Sequence, residues 1–396
     1  MMRENGKYRI MHGCYWIVCG VCFSYLAFYL SGYGYSASEI GVISALIGVV
    51  SAVLQPALGR LADRNSKYGW KPQLTVLISV CCIALILLLI CNQKIVTGIL
   101  FVILLVTINC ICPLLNSISS YYELKGVHVD FGVARSCGSA SYAVVTLIIG
   151  YLTTAFGVKA IPVSMILVPV LMLVVLRSMP YDAEESVSSH TAASEKKTGR
   201  KKENFVQKYP AFCVILVASL LTFSVHNVTT IFLLQMIENV GGNSGHMGTA
   251  LSIAAAAEMP AIFLFSRITK KIQPTSLMII AGASYAVKMV LFMIAGNVAM
   301  IYVIHLLQFC SYGFYAPSTV RFAEDCMHEE DRVTGQAMMT MTTTLSSVIG
   351  SLIGGWMIDS YGMTVTLTAS TGLSIFAVFF WVGGVLLYKK TKRGNV

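Results

Sequence analysis

The chain has 396 residues, of which 56% are hydrophobic and 12% charged, about half the charged share of an ordinary soluble domain. That composition excludes a soluble globular protein. The formal net charge of +10 therefore asks which membrane face carries the cations, and no nucleic-acid partner is expected.

Setting the charged residues aside as loops leaves twelve apolar stretches, at 9–32, 38–58, 73–92, 95–121, 133–155, 159–178, 209–235, 246–266, 275–295, 297–319, 335–358 and 363–388. Each holds roughly 20 residues, enough to cross about 30 Å of hydrocarbon at about 1.5 Å per residue. Together they use nearly the whole chain, so no soluble catalytic domain has room. The expected fold class is all-α integral membrane, with twelve transmembrane helices. Of the 28 Lys and Arg residues, 24 fall on the two termini and the even-to-odd loops, Lys94 and Lys159 fall on the other face, and Arg135 and Lys288 lie inside spans. By the positive-inside rule this is a multi-pass protein of the cell membrane with both termini in the cytoplasm.

The first stretch opens on Arg3 and Lys7 as a secretory signal would, but its apolar run is longer and no small-residue cleavage site follows, so it reads as an uncleaved span. Tyr25 and Tyr29 form a small aromatic cluster within it. Between the second and third spans stands Gly59-Arg60-Leu61-Ala62-Asp63-Arg64, followed by Lys67, Gly69, Trp70 and Lys71. Gly59 permits close helix approach, Asp63 can cap a helix or pair with an arginine, and the cations, Arg64 among them, hold the loop inside. Span four offers Asn109, Asn116 and Ser120 along one face. In span five, Arg135, Ser139 and Tyr142 stand at i, i+4 and i+7. A guanidinium with an aromatic two turns away suits a sugar or a carboxylate, because the fork donates to oxygens and the ring stacks on an apolar face. A cytoplasmic-end arginine that merely snorkels is the bland alternative.

The longest polar interval, 179–208, holds Asp182, Glu184, Glu185, a Ser/Thr patch and a basic cluster from Lys196 to Lys202. It reads as a cytoplasmic linker resting on anionic lipid, between an N-terminal six-helix bundle at 1–178 and a C-terminal one at 209–396. Phe131-Gly132-Val133-Ala134 and Thr334-Gly335-Gln336-Ala337 open spans five and eleven alike, the weak parallel repeat expected of two halves around a midplane site. Span seven carries His226, Asn227 and Thr230, and span ten carries His305, Gln308, Tyr312 and Tyr315 at helical spacing. Taken singly, each such group is more often a satisfied interhelical hydrogen bond than a ligand contact; their recurrence in several helices indicates a polar seam around a cavity.

A charge inside hydrocarbon costs a few kcal/mol on insertion scales and is a functional hypothesis by default. Three are well inside: Arg135, Glu258 and Lys288. Glu258 is the only carboxylate deep in a span, between Ala254–Ala257 and Pro260. It is the expected proton-carrying group, with a structural ion pair to Arg135 or Lys288 as the alternative. The 12 cysteines lie mostly inside spans and behave as small hydrophobes; neither a disulfide framework, nor a metal site, nor a cofactor motif is expected. No nucleophile–base pair sits at useful spacing and no filter segment occurs, so neither an enzyme nor a channel is expected.

The Gly59–Lys71 loop resembles the cytoplasmic loop signature of the major facilitator superfamily, which implies the two-bundle fold. Asp130-Phe131-Gly132-Val133-Ala134-Arg135 with Gly138 and Tyr142 is similar to span five of the oligosaccharide:proton symporters, the lactose-permease-like group. In that family an arginine matching Arg135 binds sugar hydroxyls and an aromatic matching Tyr142, usually Trp, stacks on the ring. Glu258 matches its essential span-eight glutamate, and Lys288 falls where span nine carries an arginine. The resemblance implies a secondary transporter moving a small polar solute, a sugar or oligosaccharide, with a proton as coupling ion. The chain departs from that pattern in span four, where Asn116 or Ser117 replaces a carboxylate. It departs again in span ten, where Gln308 and Ser311 replace a His and a Glu, which leaves His305 with Glu258 to carry a proton. Leu115-Asn116-Ser117-Ile118-Ser119 with Tyr121-Tyr122 is also similar to span four of nucleoside:proton symporters, and a nucleoside or aromatic-acid symporter, or a non-transporting receptor of the same fold, remains open. Nothing in the sequence indicates an oligomeric state.

Overall fold

Hydrocarbon offers no hydrogen bonds, so a chain with a mean hydropathy of +0.74 must satisfy its backbone internally, and helices do so within one segment. The computed structural model describes residues 2–64, 69–127, 129–181, 205–328 and 331–394, and among them no strand occurs. The acidic, Ser/Thr-rich and basic parts of the expected linker lie outside the described residues, as do the side chains of Asp63 and Arg64. Nine helices among the described residues are long and apolar enough to span a membrane, and one of these, Thr334–Lys392, contains a break.

The first unit comprises Met1–Tyr35 and Leu46–Arg200. Its helices are α1 (Met2–Ser24), α2 (Leu26–Ser31), α3 (Ala37–Arg64), α4 (Trp70–Ile90), α5 (Lys94–Leu124), α6 (Phe131–Phe156), α7 (Ala160–Met165) and α8 (Leu167–Arg177), with the start of α3 counted elsewhere. Asp130 caps α6, its carboxylate accepting from the Val133 N–H at 2.9 Å, and Gly157 ends that helix with φ at +69°. The amide of Asn109 on α5 donates to Ser51 Oγ on α3 at 3.0 Å, while Gln55 donates back to the Asn109 carbonyl at 2.9 Å. This reciprocal pair ties two apolar helices in a solvent that supplies no alternative partner. At the end of α8, Lys7 donates to the Ser178 carbonyl at 2.7 Å and Lys71 to that of Met179. Both cations thus answer the negative end of the helix dipole.

The second unit comprises Ser36–Ala45 and Lys201–Val396. It contains α9 (Phe205–Lys208), α10 (Pro210–Ile231), α11 (Leu233–Asn239), α12 (Ser244–Ile268), α13 (Pro274–Met293), α14 (Val298–Leu306), α15 (Tyr312–Cys326) and α16 (Arg332–Gly394), the last broken at Gly362, where φ is +81°. Pro210 and Pro274 occupy first-turn positions, where a missing N–H costs nothing. The core gathers Phe212, Phe322, Phe223, Tyr285, Tyr315 and Trp381. The buried Trp381 indole donates to Thr222 Oγ1 at 3.0 Å, and a Cβ at Gly282 would collide with its ring. Gly350 and Gly354 on α16, four residues apart, bring that helix against Ser224 and Val228 of α10, the small-residue spacing by which membrane helices approach closely. At the start of α10, Lys208 and Tyr209 both donate to Asp331 Oδ2, each at 2.7 Å. Those two donors hold the Asp331 carboxyl below its ordinary value.

Span ten differs from the expected continuous helix. Leu307, Gln308, Phe309 and Cys310 donate three residues back, and then Gly313 N–H reaches the Gln308 carbonyl five residues back at 3.0 Å. Tight winding followed by a wide turn breaks the helical register, so His305 and Gln308 do not share one regular helix face with Tyr312 and Tyr315. The interruption sets Gln308 in irregular backbone, which is tolerated at membrane depth only where protein or a cavity surrounds it.

Within the second unit the start of α3 is held by Asp359, whose carboxylate oxygens accept from the Ala37 N–H at 3.1 Å and the Ser38 N–H at 2.7 Å. Gly355 and Gly41 permit the close packing, since a Cβ at either would meet the carbonyl of Ala37 or Ser351 respectively. An aspartate at a helix N-terminus offsets otherwise unmade N–H groups and the positive dipole end. Asp359→Ala is expected to cost about 1 kcal/mol, read as a lowered thermal unfolding temperature in detergent. Asp359→Asn should recover part of that loss, and equal stability of all three proteins would rule out this cap.

Candidate functional site

Two polar clusters occupy apolar surroundings, one in each unit. In the first unit, α1 and α6 run side by side with their close contacts stepping upward together. The His12 ring lies 5.8 Å from that of Phe131, and the Arg135 guanidinium lies 3.9 Å from the Trp16 ring centroid. Higher up, Ser24 Oγ and Tyr142 Oη share a hydrogen bond of 2.8 Å, and the Tyr25 hydroxyl donates to the Thr146 carbonyl at 2.7 Å. Glycines make the approach possible: a Cβ at Gly138 would collide with the Trp16 indole, and one at Gly20 with the Tyr142 ring. Arg135 Nη1 donates to Ser139 Oγ at 2.7 Å, so the predicted one-turn pair forms. A cation over an indole face gains about 0.5–2 kcal/mol without being neutralised.

The remaining residues expected in this half are placed as follows. Tyr142 joins the same ladder two turns above Arg135. The Asn116 amide approaches Cys112 Sγ at 3.8 Å, a weak contact. Tyr29 is fully buried and stacks on Phe101 at 4.7 Å, while Tyr25 spends its hydroxyl on backbone. Among the described residues nothing lies within 4 Å of a Cβ built at Gly59, so the close approach expected there is not made. His12 and Trp16 both escaped sequence reasoning, although they stand four residues apart on one face of the first span.

In the second unit Lys288, 4% exposed, donates from Nζ to Gln308 Oε1 at 2.7 Å. These residues are 20 apart in sequence and meet because α13 packs beside the interrupted span ten. Glu258, His226 and His305 all lie within Coulombic reach of Lys288. A Cβ at Gly313 would crowd Ala261 and approach the Glu258 backbone carbonyl at 3.4 Å, so the glycine lets α15 lie close against α12. His305 Nδ1 sits 2.8 Å from the Ile301 carbonyl. A carbonyl only accepts, so Nδ1 carries the hydrogen and Nε2 keeps a lone pair. The His226 ring lies 5.2 Å from that of Tyr285. The Asn227 amide donates to the Phe223 carbonyl of its own helix at 2.7 Å, and Thr230 likewise donates to the His226 carbonyl at 2.9 Å. Tyr285 was missed as well, although it precedes Lys288 by three residues on one face of α13 and lies within reach of Glu258.

Among the described residues no group of three His, Cys, Asp or Glu side chains is arranged to hold a metal. Each cluster sets a cation beside a neutral polar group and an aromatic ring, Arg135 beside Ser139 and Trp16 and Lys288 beside Gln308 and Phe292.

Residues 7–369 match the MFS_1 like family, and the chain belongs to it. It is a membrane solute transporter of the major facilitator class rather than an enzyme. A maltose permease of Geobacillus stearothermophilus is 24% identical over 347 residues, covering 85% of this chain and 81% of the permease. The fold is shared with the nucleoside transporter NupG, at a TM-score of 0.78 and 14% identity over 96% of this chain and 98% of that one. It is shared also with a mutant of the peptide transporter POT in complex with alafosfalin, at a TM-score of 0.73 and 10% identity over 98% of this chain and 95% of that one.

The α1–α6 contact makes a measurable demand on residue size. Gly138→Ala forces the indole of Trp16 off its place beside Arg135 and is expected to cost about 1–3 kcal/mol, read as a fall in the thermal unfolding temperature. Gly132→Ala, where the nearest atom is Asp130 Oδ1 at 3.4 Å, serves as the control and should unfold near the wild-type temperature.

Proposed function

We propose that this transporter carries a sugar or oligosaccharide across the cell membrane in symport with a proton, by alternating access of bundles at 1–178 and 209–396 joined by a cytoplasmic linker at 179–208. Both termini are cytoplasmic in this reading, which the distribution of Lys and Arg supports. The observation that carries it is the buried Lys288, hydrogen-bonded to the neutral amide of Gln308 with Glu258 within Coulombic reach. Because Gln308 occupies a donor of Lys288, the ammonium keeps a partner whichever protonation state Glu258 takes. Glu258 is then the group that binds and releases the proton, and His305, with Nε2 able to accept, is its partner in the relay. Arg135 and Ser139, with Tyr142 two turns above and Asn116 on α5, supply donors to solute oxygens in the first unit; Lys288, Gln308, His226 and Asn227 do so in the second. The maltose permease relative supports the sugar assignment.

Purified protein in proteoliposomes, offered labelled disaccharides with and without an inward proton gradient, tests this reading. Gradient-driven accumulation is expected for the wild type. Glu258→Gln should abolish accumulation while solute exchange persists, because a permanently neutral side chain cannot release a proton. Gradient-independent equilibration by the wild type would sink proton coupling, and the absence of any sugar entry would sink the sugar assignment.

A further inference from the structure

The two intramembrane cations are compensated differently. Lys288 has Glu258 within reach in its own unit. In the first unit the sequence places Glu4, Asp63, Glu123 and Asp130 at helix ends and no carboxylate within the apolar stretches. Among the described residues Arg135 bonds Ser139 and lies over Trp16, neither of which carries a negative charge. Five N–H donors are available on a guanidinium, and Ser139 takes one of them.

One turn below Trp16 on the same face of α1 stands His12, 1% exposed, with neither ring nitrogen hydrogen-bonded. Its ring is edge-on to Tyr8 at 4.6 Å and to Phe131 at 5.8 Å, and it lies within Coulombic reach of Arg135. Phe131 and Arg135 are one turn apart on α6, so the rungs His12–Phe131 and Trp16–Arg135 adjoin. A neutral imidazole has one donor and one acceptor, and burying both unmade is unfavourable unless something occupies them. If His12 served packing alone, an apolar ring of the same size would fill the place better.

Resting on the reading of this chain as a sugar transporter, we propose that the first unit binds a carboxylate on the solute. Among sugars, hydroxylated rings carrying one carboxylate, such as hexuronates, are then preferred over neutral ones. Arg135 is the counter-charge, Ser139 and Trp16 hold the guanidinium in place, and His12 gives the solute a donor or acceptor beside it. One fixed cation matches one monoanion, so a phosphate dianion leaves surplus charge in the hydrocarbon.

The test is a binding comparison on the purified full-length protein in nanodiscs with D-glucuronate, methyl α-D-glucoside and glucose 6-phosphate. The wild type is expected to bind glucuronate at least about tenfold more tightly than either of the others, the difference of one charge-assisted hydrogen bond or more. Arg135→Gln should remove that preference and Arg135→Lys retain part of it. His12→Phe should weaken glucuronate binding by about tenfold while leaving the unfolding temperature unchanged or raised. Tighter or equal binding of the neutral glucoside by the wild type overturns the carboxylate assignment and leaves the sugar reading standing. Tighter binding of the phosphate overturns it too. Binding of none of the three overturns both, and unaltered glucuronate binding by His12→Phe removes His12 from the site. The wild-type comparison decides the charge question even if the Arg135 variants do not fold.

Discussion

Taking a charge out of water is the constraint around which the polar parts of this molecule are arranged. Hydrocarbon gives no hydrogen bonds and little dielectric screening, so each intramembrane cation must be answered by groups of the protein itself. Arg135 is answered by a hydroxyl one turn along its own helix and by the indole of Trp16. Lys288 is answered by the amide of Gln308 and by the field of Glu258. Neither cation is locked in a direct ion pair among the described residues. A buried cation in tight contact with a carboxylate has little left to offer a solute, whereas one held by neutral groups keeps its attraction for an anion or a proton-bearing partner.

Bringing these partners into reach depends on small residues and on irregular backbone. Gly138 makes room for Trp16 beside Arg135, Gly20 for the ring of Tyr142, and Gly313 for α15 beside Glu258. In lipid there is no hydrophobic gain from pressing one apolar helix on another, so close packing through small residues and hydrogen bonds between helices carry the association. The same glycines that stabilise the helix contacts therefore also set the geometry of the polar clusters. The irregular winding at 307–311 accompanies the second cluster, with Gln308 within it and bonded to Lys288.

How much of this was legible in the sequence follows from the range of each interaction. The spans could be read because a long apolar run has one stable form in a bilayer, and the pair Arg135–Ser139 because residues four apart on a helix must meet. The contact between Lys288 and Gln308 could not be read in that way. It depends on which helices neighbour each other and on a change of winding that no breaker residue in 307–311 announces. Trp16 lay hidden for a related reason: its partner is on α6, and only the absence of a side chain at Gly138 shows that α1 comes so near. Tyr25 and Tyr29, by contrast, drew notice as aromatics in a span, and their packing against backbone and Phe101 depends on neighbours that spacing does not reveal.

Gln308 bears on whether the departures from the symporter pattern are losses. The histidine of that pattern could accept the same hydrogen bond only while neutral, and protonating it would set a second cation beside the buried ammonium. An amide accepts the same hydrogen bond and carries no charge to lose, so the 2.7 Å contact survives any proton movement nearby. That leaves a single carboxylate, Glu258, deep within the apolar stretches of the chain, with His305 as the other titratable group of the proposed relay. The replacement thus simplifies the proposed relay without removing the group on which proton binding depends.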